Sequence, residues 1–228
     1  MMSDPRQGDD PSRTVPPGAA AVTPGRRPGP TPASHVTCCK EFKMTETGNH
    51  RSMFAKGFKE RHDLEQYFWT EDTVCRLMNA VADEVEGTVC CMSTPSLAHA
   101  FFLQNRSEPL LDIDLRFQYL PRFRYFDLLS PKNSDEEDNR IIVFDPPFFY
   151  IPMENLFEAV RVICKNDFRT KILIGFLVRE EGLLMRTFAP FNLKKTKFTL
   201  EYASVKENKW RNYALYSNID LPGIKRIK

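Results

Sequence analysis

The sequence predicts an α/β fold with a Rossmann-like, mostly parallel sheet, helices on both faces and an antiparallel edge. Short apolar runs typical of buried strands alternate with segments whose apolar residues recur every three or four positions, as in amphipathic helices. This alternation favours parallel strands joined by right-handed helical crossovers. The last two strand-like runs, residues 198–203 and 213–219, are separated only by the polar loop 204–212, which predicts a closing hairpin and hence the antiparallel edge.

The first elements of this fold are a helix and a strand. Residues 64–85 carry a helical apolar pattern, with Thr70 or Asp72 able to cap its second part and Gly87 at its end. Residues 88–92 form a short apolar run that predicts the first strand of the sheet.

A turn, a helix and two further strands follow. The turn at residues 93–96 leads into a helix through residue 102, and residues 110–114 predict the second strand. Residues 125–127 predict the end of a third strand. The acidic stretch 134–138 is interpreted as a solvated connection.

The second half continues the alternation. Residues 141–144 predict a buried strand, residues 153–163 a helix, residues 170–176 another strand and residues 183–188 a short helix. The closing hairpin completes the predicted sheet.

Length and composition predict one folded domain, residues 46–228, preceded by a tail. Of the 17 prolines in the 228 residues, eight lie in residues 1–45, where little apolar surface is available to offset the entropy of ordering. We therefore expect a disordered tail, and an alternative start at Met44 is a hypothesis that a truncation from this residue tests.

The charge balance and the absence of long apolar runs limit the function classes. Lys and Arg number 32 against 30 Asp and Glu, a net charge of +2, which is not the footprint of a dedicated nucleic-acid binder but leaves room for a local basic groove. No apolar run approaches the roughly 20 residues needed to cross a bilayer. We expect a monomeric, cytoplasmic protein without a membrane partner.

No metal site is predicted from the six cysteines and four histidines. The cysteines include two adjacent pairs, Cys38-Cys39 and Cys90-Cys91, and neither pair has the C-x-x-C spacing of a metal knuckle. We expect buried, reduced thiols where cysteines lie in apolar runs.

The strand at residues 141–144 ends in Asp145-Pro146-Pro147-Phe148-Phe149, which predicts a catalytic site. Each proline fixes φ and lacks an N–H donor, so the carbonyls of Asp145 and Pro146 are left as acceptors with no proline donor beside them. Such a turn suits an amine substrate. The alternative interpretation is an ordinary turn at the end of a strand.

Aspartates follow three of the predicted strands: Asp112 or Asp114, then Asp127, then Asp145. Because the carboxyl ends of parallel strands meet at one edge of a sheet, these groups are candidates for one site. An acid after the second strand is placed to accept a ribose hydroxyl of a nucleotide-like cofactor. Taken singly, each is also explained as a solvent-exposed cap.

The turn after the first strand contains Thr94, Pro95 and Ser96 but no glycine. It is therefore not the glycine-rich loop that approaches a pyrophosphate. The hydroxyls of Thr94 and Ser96, at the start of a helix, can bind a carboxylate or a hydroxyl, which favours a cofactor without phosphates. A plain N-capped helix is the alternative.

Four segments of the chain resemble a known family. They are Tyr67-Phe68-Trp69-Thr70-Glu71-Asp72-Thr73, Val89-Cys90-Cys91-Met92-Ser93-Thr94-Pro95-Ser96, Asp112-Ile113-Asp114-Leu115-Arg116-Phe117 and Asp145-Pro146-Pro147-Phe148. Their order and spacing, over roughly residues 60–220, are similar to those of the eukaryotic "probable adenine methyltransferase" family of class I S-adenosylmethionine enzymes. That family includes lysine methyltransferases of translation elongation factor 1A and the CCHC zinc-finger adenine methyltransferase of ribosomal RNA.

The resemblance implies a class I methyltransferase fold with a seven-stranded sheet, and S-adenosylmethionine as cofactor. By matching position, it implies that Thr94, Pro95 and Asp114 line the cofactor side. It also implies that residues 145–148 hold the nitrogen to be methylated, with Phe148 able to stack on an adenine.

The resemblance leaves the substrate open. The chain lacks the zinc modules and the length of the ribosomal-RNA enzyme, which favours a lysine of a translation elongation factor. Residues 110–117 and 214–216 are at least as similar to the ribosomal-RNA branch, so adenine in RNA or DNA is the alternative. A catalytically inactive binding module of the same fold is a third interpretation.

Basic and aromatic residues of the carboxyl-terminal part predict a substrate surface, together with Phe149. Such a mixture can follow a nucleic-acid backbone and stack on its bases, although lysines also keep exposed edge strands from aggregating. The residues are Lys194, Lys195, Lys197, Lys206, Lys209, Trp210, Arg211, Tyr213, Lys225, Arg226 and Lys228.

Overall fold

The computed structural model describes residues 52–54, 58–82, 88–132 and 139–228. The predictions for the tail at residues 1–45, for Gly87 as a helix end and for the acidic connection at residues 134–138 fall outside the described residues.

Seven strands form one sheet within the described ranges, in the order β3-β2-β1-β4-β5-β7-β6. They are β1 (Thr88–Met92), β2 (Leu110–Asp112), β3 (Phe123–Tyr125), β4 (Asn139–Phe144), β5 (Lys171–Leu177), β6 (Lys194–Lys195) and β7 (Tyr213–Ser217). The first five strands pair in parallel, whereas β7 runs antiparallel to both β5 and β6. The predicted mostly parallel sheet with an antiparallel edge is confirmed.

Five α-helices connect or follow these strands in the described part of the chain. They are α1 (Glu71–Ala82), α2 (Pro95–Leu103), α3 (Met153–Ile163), α4 (Glu181–Thr187) and α5 (Glu207–Trp210). Nearly every residue of β1, β4 and β5 is buried. Because successive side chains of a strand point to opposite faces, both faces of the sheet are covered, as a parallel sheet requires.

The helix predicted from residue 64 starts later, at Glu71. The Thr70 hydroxyl accepts a 3.2 Å hydrogen bond from the Thr73 N–H, so Thr70 is the N-cap of α1. Before it, the chain is extended and pairs with a distant segment, since Trp69 forms an antiparallel bridge with Tyr202. The apolar spacing that predicted a helix here therefore comes from an extended segment packed on the core.

The strand predicted at residues 198–203 is wrong. The edge strand of the sheet is the two-residue β6, and the chain then leaves the sheet to bond with the extended segment before α1. The Thr70 N–H donates to the Glu201 carbonyl at 2.8 Å, and the Ala203 N–H donates to the Phe68 carbonyl at 2.8 Å. The loop predicted after it contains the short helix α5.

The sheet order brings the carboxyl ends of β1, β2 and β4 together at one edge. Phe144, the last residue of β4, pairs with Met92, the last residue of β1, and Met92 pairs with Leu111 of β2. In open α/β sheets ligands bind at this edge. No helix in the described residues is long and apolar enough to span a membrane.

Candidate active site

A cavity of about 230 Å³ lies at this edge of the sheet. Its walls come from the segment before α1, from the turns that follow β1, β2 and β3, and from the turn after β4. The lining residues are Asp63, Leu64, Glu65, Gln66, Tyr67, Ser93, Pro95, Asp112, Ile113, Phe126, Asp127, Leu128, Leu129, Asp145, Pro146, Pro147, Phe148, Tyr150 and Ile151. The three predicted strand-end acids Asp112, Asp127 and Asp145 are thus in one cavity.

Asp145 has one carboxylate oxygen fixed by the protein and the other unengaged. The Tyr202 hydroxyl donates a 2.8 Å hydrogen bond to Oδ1 of Asp145. Gly175 of β5 leaves room for this arrangement, because a Cβ there would lie only 2.6 Å from the same Oδ1. Among the described residues, Oδ2 of Asp145 receives no hydrogen bond, so it is the oxygen available to a substrate.

Burial sets the protonation behaviour of this pair. Desolvation raises the pKa of the Asp145 carboxyl well above its usual range, and the hydrogen bond from Tyr202 lowers it in part. Asp145 keeps some exposed surface in the cavity wall, but its carboxyl group is deep enough for desolvation to dominate. Burial, and next the neighbouring Asp145, raise the pKa of Tyr202, so the phenol stays protonated and acts as the donor.

The backbone of the turn after β4 offers further acceptors. The Asp145 N–H donates to the Met92 carbonyl at 3.3 Å, which anchors the turn to β1. No described group donates a hydrogen bond to the carbonyls of Asp145 or Pro146, in keeping with the missing N–H groups of the two prolines. A carboxylate oxygen and two carbonyls are therefore left as acceptors at one turn.

Glu65 holds the next part of this turn. Its Oε2 accepts hydrogen bonds from the backbone N–H groups of Phe149, at 2.9 Å, and Tyr150, at 3.1 Å. Glu65 adopts a left-handed backbone conformation with a φ of 53°, which directs the segment before α1 across the cavity. The carboxylate is buried, so these bonds are protected from water.

The two acids after β2 have different surroundings. Asp114 is buried outside the cavity wall, where its carboxylate accepts hydrogen bonds from Arg116 Nε at 3.0 Å and Gln66 Nε2 at 3.1 Å. Although burial opposes ionisation of Asp114, these hydrogen bonds together lower its pKa. Asp112 lines the cavity, and its Oδ1 accepts from the Asp114 N–H at 2.9 Å. Burial raises the pKa of Asp112 to about 7.

The turn after β1 contributes backbone and ring atoms to the cavity. Ser93, with a φ of 50°, and Pro95 lie in the wall. Thr94 and Ser96 are buried outside it, and the Thr94 hydroxyl donates to the Val143 carbonyl at 3.4 Å. The structure therefore brings Pro95 to the cavity but not the hydroxyls of Thr94 and Ser96.

The charge of the cavity fits a cofactor without phosphates. Five lining residues carry carboxyl groups, and no Lys or Arg is present among the described lining residues. Such a wall offers no cation to bind a pyrophosphate, while Phe126 and Leu128 supply apolar surface. Asp127 also lies in the wall, and its Oδ1 accepts a hydrogen bond from the Leu129 N–H at 2.9 Å.

The residues predicted to contact the substrate have two kinds of environment. Phe148 is buried against Tyr213, with ring centroids 5.3 Å apart. Phe149, by contrast, is 59% exposed, and the Arg179 guanidinium lies 5.0 Å from its ring centroid. Tyr150 beside it is 72% exposed. The aromatic rings that a ligand can reach are therefore those of Phe149 and Tyr150, which follow Phe148 in the chain.

Trp210 and Arg211 lie outside the cavity wall. The Trp210 indole N–H donates to the carbonyls of Tyr202, at 3.2 Å, and Val205, at 3.0 Å, so this ring fastens α5 to the segment that carries Tyr202. Arg211 is exposed.

Four residues of the site were not predicted from the sequence: Tyr202, Gly175, Glu65 and Gln66. Tyr202 acts on Asp145 through a long-range pairing that no local pattern reveals. A glycine inside an otherwise apolar strand does indicate a close approach, and Gly175 carried that signal.

Residues 60–220 match the model of a family described as "Probable N6-adenine methyltransferase". The match covers well over half of the chain and confirms the predicted family. No curated protein matches the sequence.

Several solved structures resemble the fold at low sequence identity. A protein of Thermoplasma acidophilum is 17% identical over 74% of this chain and 98% of its own, with a TM-score of 0.42. A putative RNA methyltransferase of Pyrococcus horikoshii is 14% identical over 75% of this chain and 92% of its own, with a TM-score of 0.41. A putative methyltransferase of Escherichia coli is 16% identical over 70% and 89%, with a TM-score of 0.42. Values this low do not identify a substrate.

Proposed function

The chain belongs to the probable N6-adenine methyltransferase family, whose cofactor is S-adenosylmethionine, and on that basis we propose that it methylates the exocyclic amino group of adenine in a nucleic acid. The observation that carries the proposal is the turn after β4. It combines hydrogen-bond acceptors that have no donor among the described residues with exposed aromatic rings immediately after them.

The acceptors of this turn match the needs of an aromatic amine. The amino group of adenine has two N–H donors, and its lone pair is delocalised into the ring. Accepting those hydrogens at Asp145 Oδ2 and at the Pro146 carbonyl orients the nitrogen and increases its electron density. S-adenosylmethionine supplies an electrophilic methyl group when bound. Because adenine is neutral, the amine needs to lose no proton before it attacks; the proton that it loses as the carbon–nitrogen bond forms and the carbon–sulfur bond breaks would pass to Asp145 Oδ2.

Asp112 is the best-placed acceptor for the ribose of the cofactor. One of its oxygens is used by the Asp114 N–H, and the residue lines the cavity at the end of β2, where acidic residues accept ribose hydroxyls. Pro95 contributes apolar surface from the neighbouring turn. The roles predicted for Thr94, Ser96 and Asp114 are more consistent with shaping these turns, because none of the three side chains reaches the cavity wall.

The exposed rings suit a nucleic-acid base that has turned out of its base stack. A nucleic-acid methyltransferase must take its target base out of the stack, and an aromatic side chain compensates for the lost stacking. Phe149 and Tyr150 are open to such a base, whereas Phe148 is packed against Tyr213. We therefore assign stacking to Phe149 and Tyr150, and a supporting role to Phe148.

A lysine of a translation elongation factor is the second candidate substrate. The observation that favours it is the acidic cavity, which attracts an ammonium group. The same carboxylates also raise the pKa of a bound lysine, however, and a lysine must lose a proton before it can attack a methyl group. Because adenine does not have to lose a proton before it attacks, adenine is the better supported substrate.

Incubation of the full chain with methyl-labelled S-adenosylmethionine and separate RNA, DNA and protein fractions tests the proposal. We expect label in a nucleic-acid fraction, recovered as N6-methyladenine after digestion, and no label with Asp145→Ala. Label in protein, recovered as methyl-lysine, would establish the second candidate instead. Cofactor binding measured by calorimetry without methyl transfer to any fraction would indicate a binding module.

A further inference from the structure

Six of the exposed basic residues of the carboxyl-terminal part form two groups at opposite ends of the sheet. β7 is antiparallel to β5, so Tyr213 pairs with Leu177 at the end of β5, and Ser217 pairs with Leu173. The residues just before Tyr213 therefore lie at the edge that carries the cavity. The active-edge group consists of Lys206, Lys209 and Arg211, all exposed.

The second group lies near the other end of β7. Lys194 pairs with Ser217, and the Lys197 N–H donates to the Lys225 carbonyl at 2.8 Å. These three exposed lysines form the far-edge group: Lys194, Lys197 and Lys225. The two groups have the same number of cations, but only the active-edge group lies at the edge of the sheet that carries the cavity.

Direct contacts connect the active-edge group to the catalytic turn. Trp210 of α5 bonds to the Tyr202 carbonyl, and the Tyr202 hydroxyl bonds to Asp145. Tyr213, two residues after Arg211, packs against Phe148. The cations are thus carried by a segment that is fastened on both sides to the residues that hold Asp145.

The charges of the cavity and of its surroundings are opposite. The cavity wall contains five carboxyl residues and no described cation, whereas residues 206–211 contain three cations and one anion, Glu207. A nucleic acid can therefore place a neutral base in the cavity only if its phosphates remain outside it. Arg179, which pairs with Glu180 at 3.6 Å, places a further cation over the ring of the exposed Phe149.

From this arrangement we propose that Lys206, Lys209 and Arg211 bind the phosphate backbone of a single-stranded nucleic acid whose adenine enters the cavity past Phe149. The proposal rests on the proposed function and names the surface that presents its substrate. A single strand fits because its bases are already free to turn outward, and because cations beside exposed rings are the usual means of binding one.

Salt-dependent binding of a fluorescein-labelled oligouridylate with one central adenine tests this surface. The full chain is compared with two triple variants, Lys206→Gln/Lys209→Gln/Arg211→Gln and Lys194→Gln/Lys197→Gln/Lys225→Gln, which remove equal charge. Single strands contribute about 0.7 to the slope of log K against log salt for each phosphate contact. We expect the slope to fall by about 2 in the active-edge variant and to stay unchanged in the far-edge variant.

Two results would overturn the proposal: a slope that is unchanged in the active-edge variant, and a slope that falls equally in both variants. Thermal melting of both variants checks that the fold is kept. If the wild-type chain methylates adenine and the active-edge variant keeps the wild-type slope, the proposed binding surface is wrong but the proposed function stands. A wild-type chain that neither binds the oligonucleotide nor methylates adenine overturns the proposed function as well.

Discussion

Tyr202 fixes the carboxylate of Asp145 through a 2.8 Å hydrogen bond to Oδ1, although the two residues are 57 positions apart in the chain. Tyr202 is fully buried, so this donor does not compete with water. Because Oδ1 is occupied, Oδ2 is the oxygen that remains for a substrate amine. The geometry makes Tyr202 a positioning residue that acts through Asp145.

Replacing Tyr202→Phe should lower the rate and move its pH dependence. The hydrogen bond favours the charged carboxylate, so its loss raises the pKa of Asp145 further. The acidic limb of the kcat/KM profile should therefore move to higher pH. A hydrogen bond to a charged group contributes about 1.5–3 kcal/mol, so the rate at neutral pH should fall about ten-fold or more.

The Tyr213→Phe variant is the matched control, because Tyr213 packs on Tyr202, with centroids 4.7 Å apart, without donating to Asp145. It should keep the acidic limb of the wild-type enzyme. A Tyr202→Phe enzyme whose rate falls equally at every pH would assign Tyr202 a structural role only.

Replacing Gly175→Ala should disable the site by displacing Asp145. The added Cβ would lie 2.6 Å from Oδ1 of Asp145 and 3.1 Å from Leu200 Cδ1, and the carboxylate cannot move without disturbing its hydrogen bond to Tyr202. Overpacking of this kind costs about 1–3 kcal/mol of stability. We expect a lower melting temperature and a large loss of kcat.

Gly182→Ala is the corresponding control, since its Cβ would meet only the end of the Arg186 side chain, at 3.5 Å. It should retain the melting temperature and the rate. Full activity in Gly175→Ala would show that the carboxylate does not need its present position.

The central sheet could be predicted from the sequence because its strands are continuous apolar runs. β1 and α3 have the predicted bounds, since a buried parallel strand and an amphipathic helix each produce a local pattern. Residues 198–203 show where such patterns fail. They are as apolar as a strand, but their hydrogen bonds go to the segment before α1, and that partner is set by tertiary structure.

The residues of the site could be predicted only where they are neighbours in one sequence motif. Asp145 and Pro146 stand together in the chain, so their common position at the end of β4 could be predicted from the sequence. Tyr202 and Glu65 act on that turn from distant parts of the sequence. Asp112 and Asp114 are two residues apart, and which of them faces the cavity depends on the bonds that Arg116 makes to Asp114.

Replacing Glu65→Ala should weaken use of the acceptor substrate. The change removes the group that accepts from the Phe149 and Tyr150 N–H groups, so the backbone that carries the two exposed rings loses its anchor. Each bond to a carboxylate contributes about 1.5–3 kcal/mol. We expect kcat/KM for the nucleic acid to fall at least about ten-fold, with a smaller change in cofactor Kd.

Two variants show whether that effect belongs to the acceptor turn. Glu65→Gln keeps a carbonyl oxygen at the same position and should recover most of the activity. Glu60→Ala removes a carboxylate that accepts from the Phe68 N–H at 2.7 Å, outside the turn, and should change KM little. Equal losses of cofactor affinity and acceptor KM in Glu65→Ala would contradict the assignment.

Asp112 should make cofactor binding depend on pH near neutrality. Its pKa is raised from 3.8 to about 7, so the residue is largely neutral at pH 6 and ionised at pH 8. A carboxylate accepts hydrogen bonds from ribose hydroxyls better than a neutral acid does. Calorimetry with S-adenosylhomocysteine, which lacks the sulfonium charge, should therefore show tighter binding at pH 8 than at pH 6.

The Asp112→Asn variant should lose this pH dependence, whereas Asp145→Asn should keep it.

The ionisation of Asp112 should also affect the free energy of unfolding, which is expected to fall with rising pH while the affinity for the cofactor increases. Because the folded-state pKa of Asp112 is raised, its neutral form stabilises the fold fully below about pH 4, and that contribution is lost as the pH rises through about 7. Asp112→Asn should consequently be more stable than the wild type at pH 8, by about 4 kcal/mol at most. A variant that binds the cofactor like the wild type at both pH values would remove Asp112 from the cofactor site.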